Sequence, residues 1–238
     1  MKKILFVLMI MFLSVQIWAQ QEIVVDPHAS LRTVNGDFSS IRITGGIDLY
    51  LSQSDEVAIA VSAAEDKFKD AIKTTIDNGV LTIYYSGDKG WNSGKKSLRV
   101  YVSFTKLEKL NASGACDVVV SGSITVPVLD MQLAGACDFK GMVKVNSLKL
   151  DLRGASDVKI SGTANTVNIE SAGASDVKGY ELVTEICNVK ASGASDINIT
   201  VNKELNANAS GASDIYYKGS ALIKEQHSSG ASSILRKS

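Results

Sequence analysis

The chain has 238 residues, and its 25 basic and 25 acidic side chains give a formal net charge of zero. This length suits one domain with a sizeable core. The balanced charge, with no basic patch and no interleaving of basic and aromatic residues, argues against nucleic acid as a partner.

The first 19 residues have the pattern of a secretory signal peptide. Lys2 and Lys3 form a basic start, Ile4–Ile17 is almost entirely apolar, and Ala19 supplies a small residue at the cleavage position. The apolar run is too short for a membrane anchor, and no Cys follows it for attachment of a lipid. We therefore expect residues 20–238 to form one exported domain without a transmembrane segment, located in the periplasm, on the outer surface or outside the cell.

The N-terminal part of that domain contains several short elements. Phe38–Tyr50 resembles a degenerate form of the repeats described below, because the sequence GGID lies between two alternating strands. Alternation of apolar residues predicts three further strands, at Val57–Val61, Val80–Tyr85 and Leu98–Phe104.

One short helix is predicted, over Glu65–Ile76. Phe68, Ile72 and Ile76 recur there at four-residue spacing and would share one face. We expect this helix to cover the open end or one side of the fold, since an uncovered sheet edge recruits other chains.

The loop Ser86–Ser97 is rich in Gly, Ser and Lys, with Trp91 at its centre. Two interpretations are open. The loop is either a ligand-contacting tip, since exposed aromatic side chains on loops often bind, or a flexible hairpin whose Trp91 folds back onto the body.

Residues 107–238 repeat a four-residue motif seven times. Successive motif glycines are 18 to 21 residues apart, and a fixed period near this length indicates a stacked repeat. The motif reads GACD twice, GASD four times and GASS once, at Gly114–Asp117, Gly135–Asp138, Gly154–Asp157, Gly173–Asp176, Gly193–Asp196, Gly211–Asp214 and Gly230–Ser233.

The residues around each motif predict two strands per repeat. Apolar residues alternate with polar ones before the motif, as at Leu129, Met131 and Leu133, which indicates a strand with one buried face. An apolar residue begins a second strand after the motif, and a Gly soon afterwards marks a turn. So short a unit buries its apolar face only by stacking. We predict an all-β fold, a β-solenoid of the right-handed parallel β-helix type with coils of about 19–20 residues, rather than an antiparallel β-sandwich.

The last repeat departs from the pattern. Lys224, Gln226 and Ser228 replace the apolar triplet, and Ser233 replaces the motif Asp. A polar terminal coil is what a cap requires, so we expect the solenoid to end near Ser238.

Stacking would align the motif carboxylates in one column. At the interstrand spacing, each neighbouring pair of charges repels by about 1 kcal/mol in water. Either each Asp accepts backbone N–H groups at its own corner, as in an Asx turn, or Ca²⁺ lies between coils. We favour the structural role and expect no cofactor. The column contains Asp117, Asp138, Asp157, Asp176, Asp196 and Asp214.

Cys116 and Cys137 replace the motif Ser in the first two regular coils. Stacked at about 4.8 Å, their Cα atoms would be within disulfide range, and an exported protein meets an oxidising compartment. A disulfide and two free thiols are both open interpretations. Cys187 occupies an apolar-triplet position and is expected to be a buried thiol.

Enzymatic chemistry has little support in the sequence. The chain has two histidines, His28 and His227, and lacks the HExxH, GxSxG and CxxC motifs and a phosphate-binding Gly loop. The Ser–Asp pairs of the motifs recur because the coil recurs. We therefore predict a protein that is not an enzyme.

The chain from about Arg32 to Ser238 resembles the bacterial GIN-domain family, the auto-transporter adhesin head domain common in Bacteroidetes. The resemblance is carried by Phe38–Asp48 (FSSIRITGGID), by Asn78–Ile83 (NGVLTI) and by the serial SGASD corners from Ser113 onward. It implies an exported β-helical domain with an adhesin-like role, and it offers no catalytic residues to carry over.

Three functions are compatible with these features. The favoured one is a non-enzymatic, adhesin-like module that binds a glycan or a protein through a long, regular face. The others are a structural or sensing envelope domain without an external ligand, and a carbohydrate-active enzyme. The oligomeric state stays open. The aromatic residues expected to contact a ligand are Trp91, Tyr180, Tyr216 and Tyr217.

Overall fold

The structure is a computed structural model that describes residues 26–33, 35–87 and 96–238. The chain forms a β-solenoid of about seven turns with coils about 19 residues apart and one short helix, which confirms the predicted fold class. The predicted signal peptide, residues 1–19, and Trp91 lie outside the described residues.

The strands and the helix are numbered in chain order. The N-terminal elements are β1 (Ser30–Arg32), β2 (Ser40–Gly45), β3 (Asp48–Gln53), β4 (Ala58–Ser62), α1 (Asp66–Ala71), β5 (Ile72–Asp77), β6 (Val80–Tyr85) and β7 (Arg99–Phe104). The C-terminal elements are β8 (Lys109–Gly114), β9 (Asp117–Gly135), β10 (Asp138–Gly154), β11 (Val158–Gly173), β12 (Val177–Gly193), β13 (Asp196–Gly211), β14 (Asp214–Lys218), β15 (Leu222–Gly230) and β16 (Ser233–Arg236).

Each coil contributes to two faces that meet at the corner motif. The first face consists of the segments that lead into the corners: β2, β8, the second halves of β9 to β13, and β15. The second face consists of the segments that follow them: β3, the first halves of β9 to β13, β14 and β16. All these pairings are parallel, so equivalent residues of successive coils lie above one another. Leu150, for example, pairs with Met131 below and Ile169 above, and all three are buried.

The N-terminal end contains a coil that is out of sequence order. Strand β6 pairs in parallel with β2, and β7 pairs in parallel with β3. Strands β6 and β7 therefore stack outside the Phe38–Tyr50 coil, although they follow that coil in the chain. Strand β5 then adds to β6, β4 adds to β7, and β1 adds to β4, all antiparallel.

The helix predicted over Glu65–Ile76 is only half correct. Helix α1 ends at Ala71, and β5 begins at Ile72. Ile72 and Ile76 are an even number of residues apart, so their spacing fits the period of a strand as well as that of a helix. The helix joins the second face to the first across the N-terminal end, and its Phe68 is buried in the core.

In strands β9 to β12, the glycine that follows the corner does not end the strand, contrary to the prediction, whereas β14 ends just before Gly219, as predicted. Strands β9 to β13 continue for 16 to 19 residues through this region. The register shifts near Gly141 and near Gly179, so these glycines mark irregularities inside continuous strands.

The C-terminal end is polar, as predicted. Strand β15 pairs with β13 in the described part of the chain, and most of its residues are exposed. Gln226 stacks over Ala207 and Ser228 over Ala209, at positions where earlier coils carry buried apolar side chains. A register shift beside Lys224 adds a bulge, and charge and bulges both discourage further strands from adding to an edge.

Candidate binding surface

The corner carboxylates lie in a column on the second face, and several of them accept hydrogen bonds from the coil above. The N–H of Asp157 donates to Asp138 Oδ1 at 3.3 Å, and the N–H of Asp196 donates to Asp176 Oδ1 at 3.3 Å. The donors belong to the neighbouring coil, which corrects the expectation of Asx turns within one corner. These bonds and the ion pair between Asp157 and Lys178, at 3.7 Å, offset the repulsion along the column.

The last two carboxylates of the column, those of Asp196 and Asp214, differ in electrostatics. Burial and the carboxylates of Asp176 and Asp214 raise the pKa of Asp196. At the last coil, hydrogen bonds from Ser233 and Tyr216 lower the pKa of Asp214. Among the described residues, no group of three or more His, Cys, Asp or Glu side chains is placed to hold a metal ion.

The motif Ser residues form a second column inside the solenoid. Ser156, Ser175, Ser195 and Ser213 are fully buried. The N–H of Ser156 donates to Ser175 Oγ at 3.2 Å, and Ser213 Oγ donates to the Ser210 carbonyl at 2.9 Å. This column satisfies corner backbone groups and faces the core, so it does not form part of a surface site.

Cys116 and Cys137 continue the Ser column downwards. Both are buried, and their Sγ atoms are 2.9 Å apart. Cys187 is also fully buried, as the alternation predicts, and burial raises the pKa of its thiol.

The outer side of the second face carries a continuous row of aligned residues, which we call the axial row. Each member is paired in register with the next, and from Ala60 to Leu235 the residue that precedes each member in the chain is buried. The row consists of Leu31, Ala60, Tyr101, Tyr50, Val119, Lys140, Lys159, Lys178, Asn198, Tyr216 and Leu235. It is apolar and aromatic over its first five members, cationic over the next three, and mixed at the C-terminal end.

The first five members of the axial row border a groove of about 520 Å³. The rings of Tyr50 and Tyr101 stack with centroids 5.0 Å apart and an interplanar angle of 21°. Ala58 and Ala60 leave space beside the Tyr101 ring, and Leu31 borders that space with 80% of its surface exposed. The groove therefore owes its shape to small side chains between large ones.

A family model described as "Putative auto-transporter adhesin, head GIN domain" matches residues 37–221. The chain belongs to this family. The match begins just before β2 and includes the coils from β2 to β14, so the GIN domain is the solenoid itself. No curated protein matches the chain at a significant level.

Solved structures share the fold of this GIN domain. A putative adhesin from Bacteroides fragilis NCTC 9343 is 20% identical, with a TM-score of 0.80 over 88% of this chain and 96% of the other. A putative lipid binding protein from Parabacteroides distasonis ATCC 8503 is 21% identical, with a TM-score of 0.68 over 90% and 98%. A putative adhesin from the same organism is 19% identical, with a TM-score of 0.70 over 88% and 96%. Because these sequence identities are low, the structural similarity shows a shared fold alone.

The tyrosines that were expected from the sequence to contact a ligand differ in their exposure in this GIN domain. Tyr180 and Tyr216 are partly exposed, and Lys218 and Lys237 lie over their rings at 5.0 Å and 4.1 Å from the centroids. Tyr217 is only 6% exposed and belongs to the core. We therefore leave Tyr217 out of the surface, contrary to the expectation from sequence.

The groove of this GIN domain was not predicted from the sequence. Tyr50 and Tyr101 were treated only as strand residues, although the alternation that places Leu49 and Leu51 inside also places Tyr50 outside. The pairing of β3 with β7 could not be predicted, because the coil that contains β7 is out of order. Among the described residues, no helix is long and apolar enough to cross a membrane.

Asp26, in the turn that precedes β1, links this turn to the groove by hydrogen bonds. Tyr101 Oη donates to Asp26 Oδ2 at 2.8 Å, and Arg99 lies 3.4 Å from the same oxygen. Burial acts to raise the pKa of Asp26, but hydrogen bonds from Ser62, the His28 N–H, Tyr101 and Arg99 lower it to about 2. Burial and the bond to Asp26 raise the pKa of Tyr101 to about 12.

We expect Asp26→Asn to lower the free energy of unfolding by about 1–2 kcal/mol at pH 7, because it removes charged hydrogen bonds. The folded-state pKa lies below the unfolded value of about 3.9. The contribution is therefore fully present above about pH 4 and is lost as the pH falls towards 2. Chemical denaturation from pH 7 to pH 2 measures the difference between the two proteins. The exposed Asp37 gives the control Asp37→Asn, and an equal effect of both substitutions would contradict the assignment.

Proposed function

We propose that this GIN domain is a non-enzymatic, adhesin-like binding module of the bacterial cell envelope. Its partner is a glycan or a protein that lies along the second face. The single observation that carries the proposal is the axial row, whose residues recur at the interstrand spacing of about 4.8 Å on one exposed face. A row of this kind matches an extended or repetitive ligand better than a compact one.

Two further features support a binding role rather than catalysis. The family is described as an adhesin. The chain has two histidines, and His28 lies in the N-terminal turn while His227 lies on β15 at the other end. Histidine, the residue that most often acts as a general base, is therefore present near the two ends of the described chain and in none of the corner motifs. We further propose that residues 1–19 are removed as a signal peptide on export.

The proposal is tested by binding of the purified protein without residues 1–19 to a panel of glycans and matrix proteins. We expect saturable binding to one class of ligand, weakened about fivefold by Lys159→Glu, since an exposed ion pair contributes up to about 1 kcal/mol. Lys149→Glu, at an exposed position of the first face, is the matched control. A Trp91→Ala variant tests the loop, and a chelator arm tests the Ca²⁺ alternative at the Asp column.

The outcomes separate the candidate functions. Binding lost in Lys159→Glu and kept in Lys149→Glu supports the second face. Binding that ignores Lys159→Glu and disappears in Trp91→Ala places the partner on the loop and contradicts our choice of face. No binding to any member of the panel would favour a structural or sensing envelope domain instead.

A further inference from the structure

The groove at the N-terminal end of the axial row differs from the rest of the second face in its chemistry. Its walls are mostly apolar, and its volume of about 520 Å³ lies within the range typical of small-molecule sites, about 300–1,000 Å³. The residues that line it and belong to apolar or aromatic types are Leu31, Tyr50, Leu51, Ala58, Ala60, Tyr101, Val102, Val119 and Val120.

Two of the polar side chains that line the groove already have hydrogen-bond partners. Tyr101 Oη donates to Asp26, and Ser103 Oγ donates to the Glu56 carbonyl at 2.7 Å. The rings of Tyr50 and Tyr101 cover each other on one side. A sugar is bound mainly through several hydrogen bonds, whereas an alkyl chain needs only apolar walls, and nine of the 13 residues that line the groove are apolar or aromatic. The groove therefore favours an alkyl chain.

A positive charge lies at one end of the groove. Lys140 lines it, and Lys159 is the next residue along the axial row. Of the charged pairs found in the described part of the chain, none includes Lys140 or Lys159, whereas Lys178 pairs with Asp157. Asp138, two residues before Lys140, accepts the Asp157 N–H, and Asp157, two residues before Lys159, pairs with Lys178. Two ammonium groups without ion pairs are thus aligned with an apolar channel, which is the charge pattern that complements an anionic amphiphile.

We infer that the groove binds a single-chain fatty-acid anion. The alkyl chain lies along Ala60, Tyr101, Tyr50 and Val119, parallel to the solenoid axis, and the carboxylate contacts Lys140 and Lys159. This inference rests on the proposed binding role of the second face and names a ligand for one end of it.

The test is isothermal titration of the purified protein with sodium dodecanoate below its micelle concentration, compared with dodecanol and hexanoate. We expect saturable 1:1 binding of dodecanoate and weaker binding of both comparators, since one lacks the charge and the other most of the chain. Ala60→Trp fills the space beside Tyr101 and should abolish binding, whereas Ala172→Trp, at an exposed position of the first face, should not. Lys140→Glu should weaken dodecanoate binding about fivefold or more, and Lys149→Glu should leave it unchanged.

Several results would overturn the inference. These are absence of saturable dodecanoate binding, equal binding of dodecanol, and binding that survives in an Ala60→Trp protein with a native circular dichroism spectrum. A dimer in light scattering that Ala60→Trp dissociates would show that a second copy occupies the groove instead. Failure of dodecanoate with a positive glycan or protein panel refutes the fatty-acid ligand alone, whereas failure of both also refutes the proposed function.

Discussion

Gly154→Ala is expected to lower the free energy of unfolding by about 4 kcal/mol, the sum of a backbone term and a packing term. Gly154 has φ +95°, in the left-handed region that favours glycine. A Cβ atom there would lie 2.5 Å from the carbonyl oxygen of Gly135 in the coil below. That oxygen accepts the Ala155 N–H at 2.7 Å, so it cannot move aside without breaking the corner ladder.

Gly45→Ala separates the two terms. Gly45 occupies the equivalent corner of the β2–β3 coil and has φ +102°, but no atom of the described residues lies within 4 Å of where its Cβ would be. It should therefore lose only the backbone term, about 1–3 kcal/mol. Urea denaturation of the two variants and the parent measures both losses. Equal losses would show that the close stacking of the corners does not constrain the residue type.

The corner glycine also explains why the fold could be predicted. A residue that must be glycine in every coil appears in the sequence as a regular mark, and the period of those marks is the length of one coil. Alternation then distinguishes the inside of each strand from its outside, as Leu148, Leu150 and Leu152 show by being fully buried. The regular coils were predictable because each of them repeats the same corner and the same alternation of buried and exposed residues.

The candidate binding surface was less predictable because it depends on long-range pairing. The groove brings together Leu31, Ala60, Tyr101, Tyr50 and Val119, which lie on five different strands. Their alignment follows from antiparallel strands and an out-of-order coil, where the sequence repeats nothing. In the regular part of the axial row, Lys140, Lys159 and Lys178 do share a position two residues after the corner Asp. That spacing can be read from the sequence. It does not reveal that the row of lysines continues into an apolar groove.

Cys116 and Cys137 are expected to form a disulfide in the exported protein. Their Sγ atoms are 2.9 Å apart and 21 residues separate them in the chain. Oxidation removes one hydrogen from each thiol and forms the S–S bond, while a disulfide oxidant of the compartment is reduced to two thiols. Both cysteines are buried, so we expect the bond to form during folding and then to resist reductants under native conditions.

Counting free thiols tests this expectation directly. The chain contains three cysteines, so alkylation in denaturant without reductant should modify one of them, Cys187, if the bond is present. A Cys187→Ala protein, the control, should then take up no label. Three labelled residues in the parent protein would contradict the disulfide.

The stability of a Ser variant tests what the bond does in the fold. Cys116→Ser/Cys137→Ser restores the residue that four later coils bury in the same column, namely Ser156, Ser175, Ser195 and Ser213. A serine is therefore compatible with the corner, and the loss relative to the oxidised parent should reflect the cross-link, about 3 kcal/mol for a loop of this length. The reduced parent should resemble the double variant in urea. The cross-link would then fasten the first regular coils beside the groove, at the point where the out-of-order N-terminal coils meet the repeating stack.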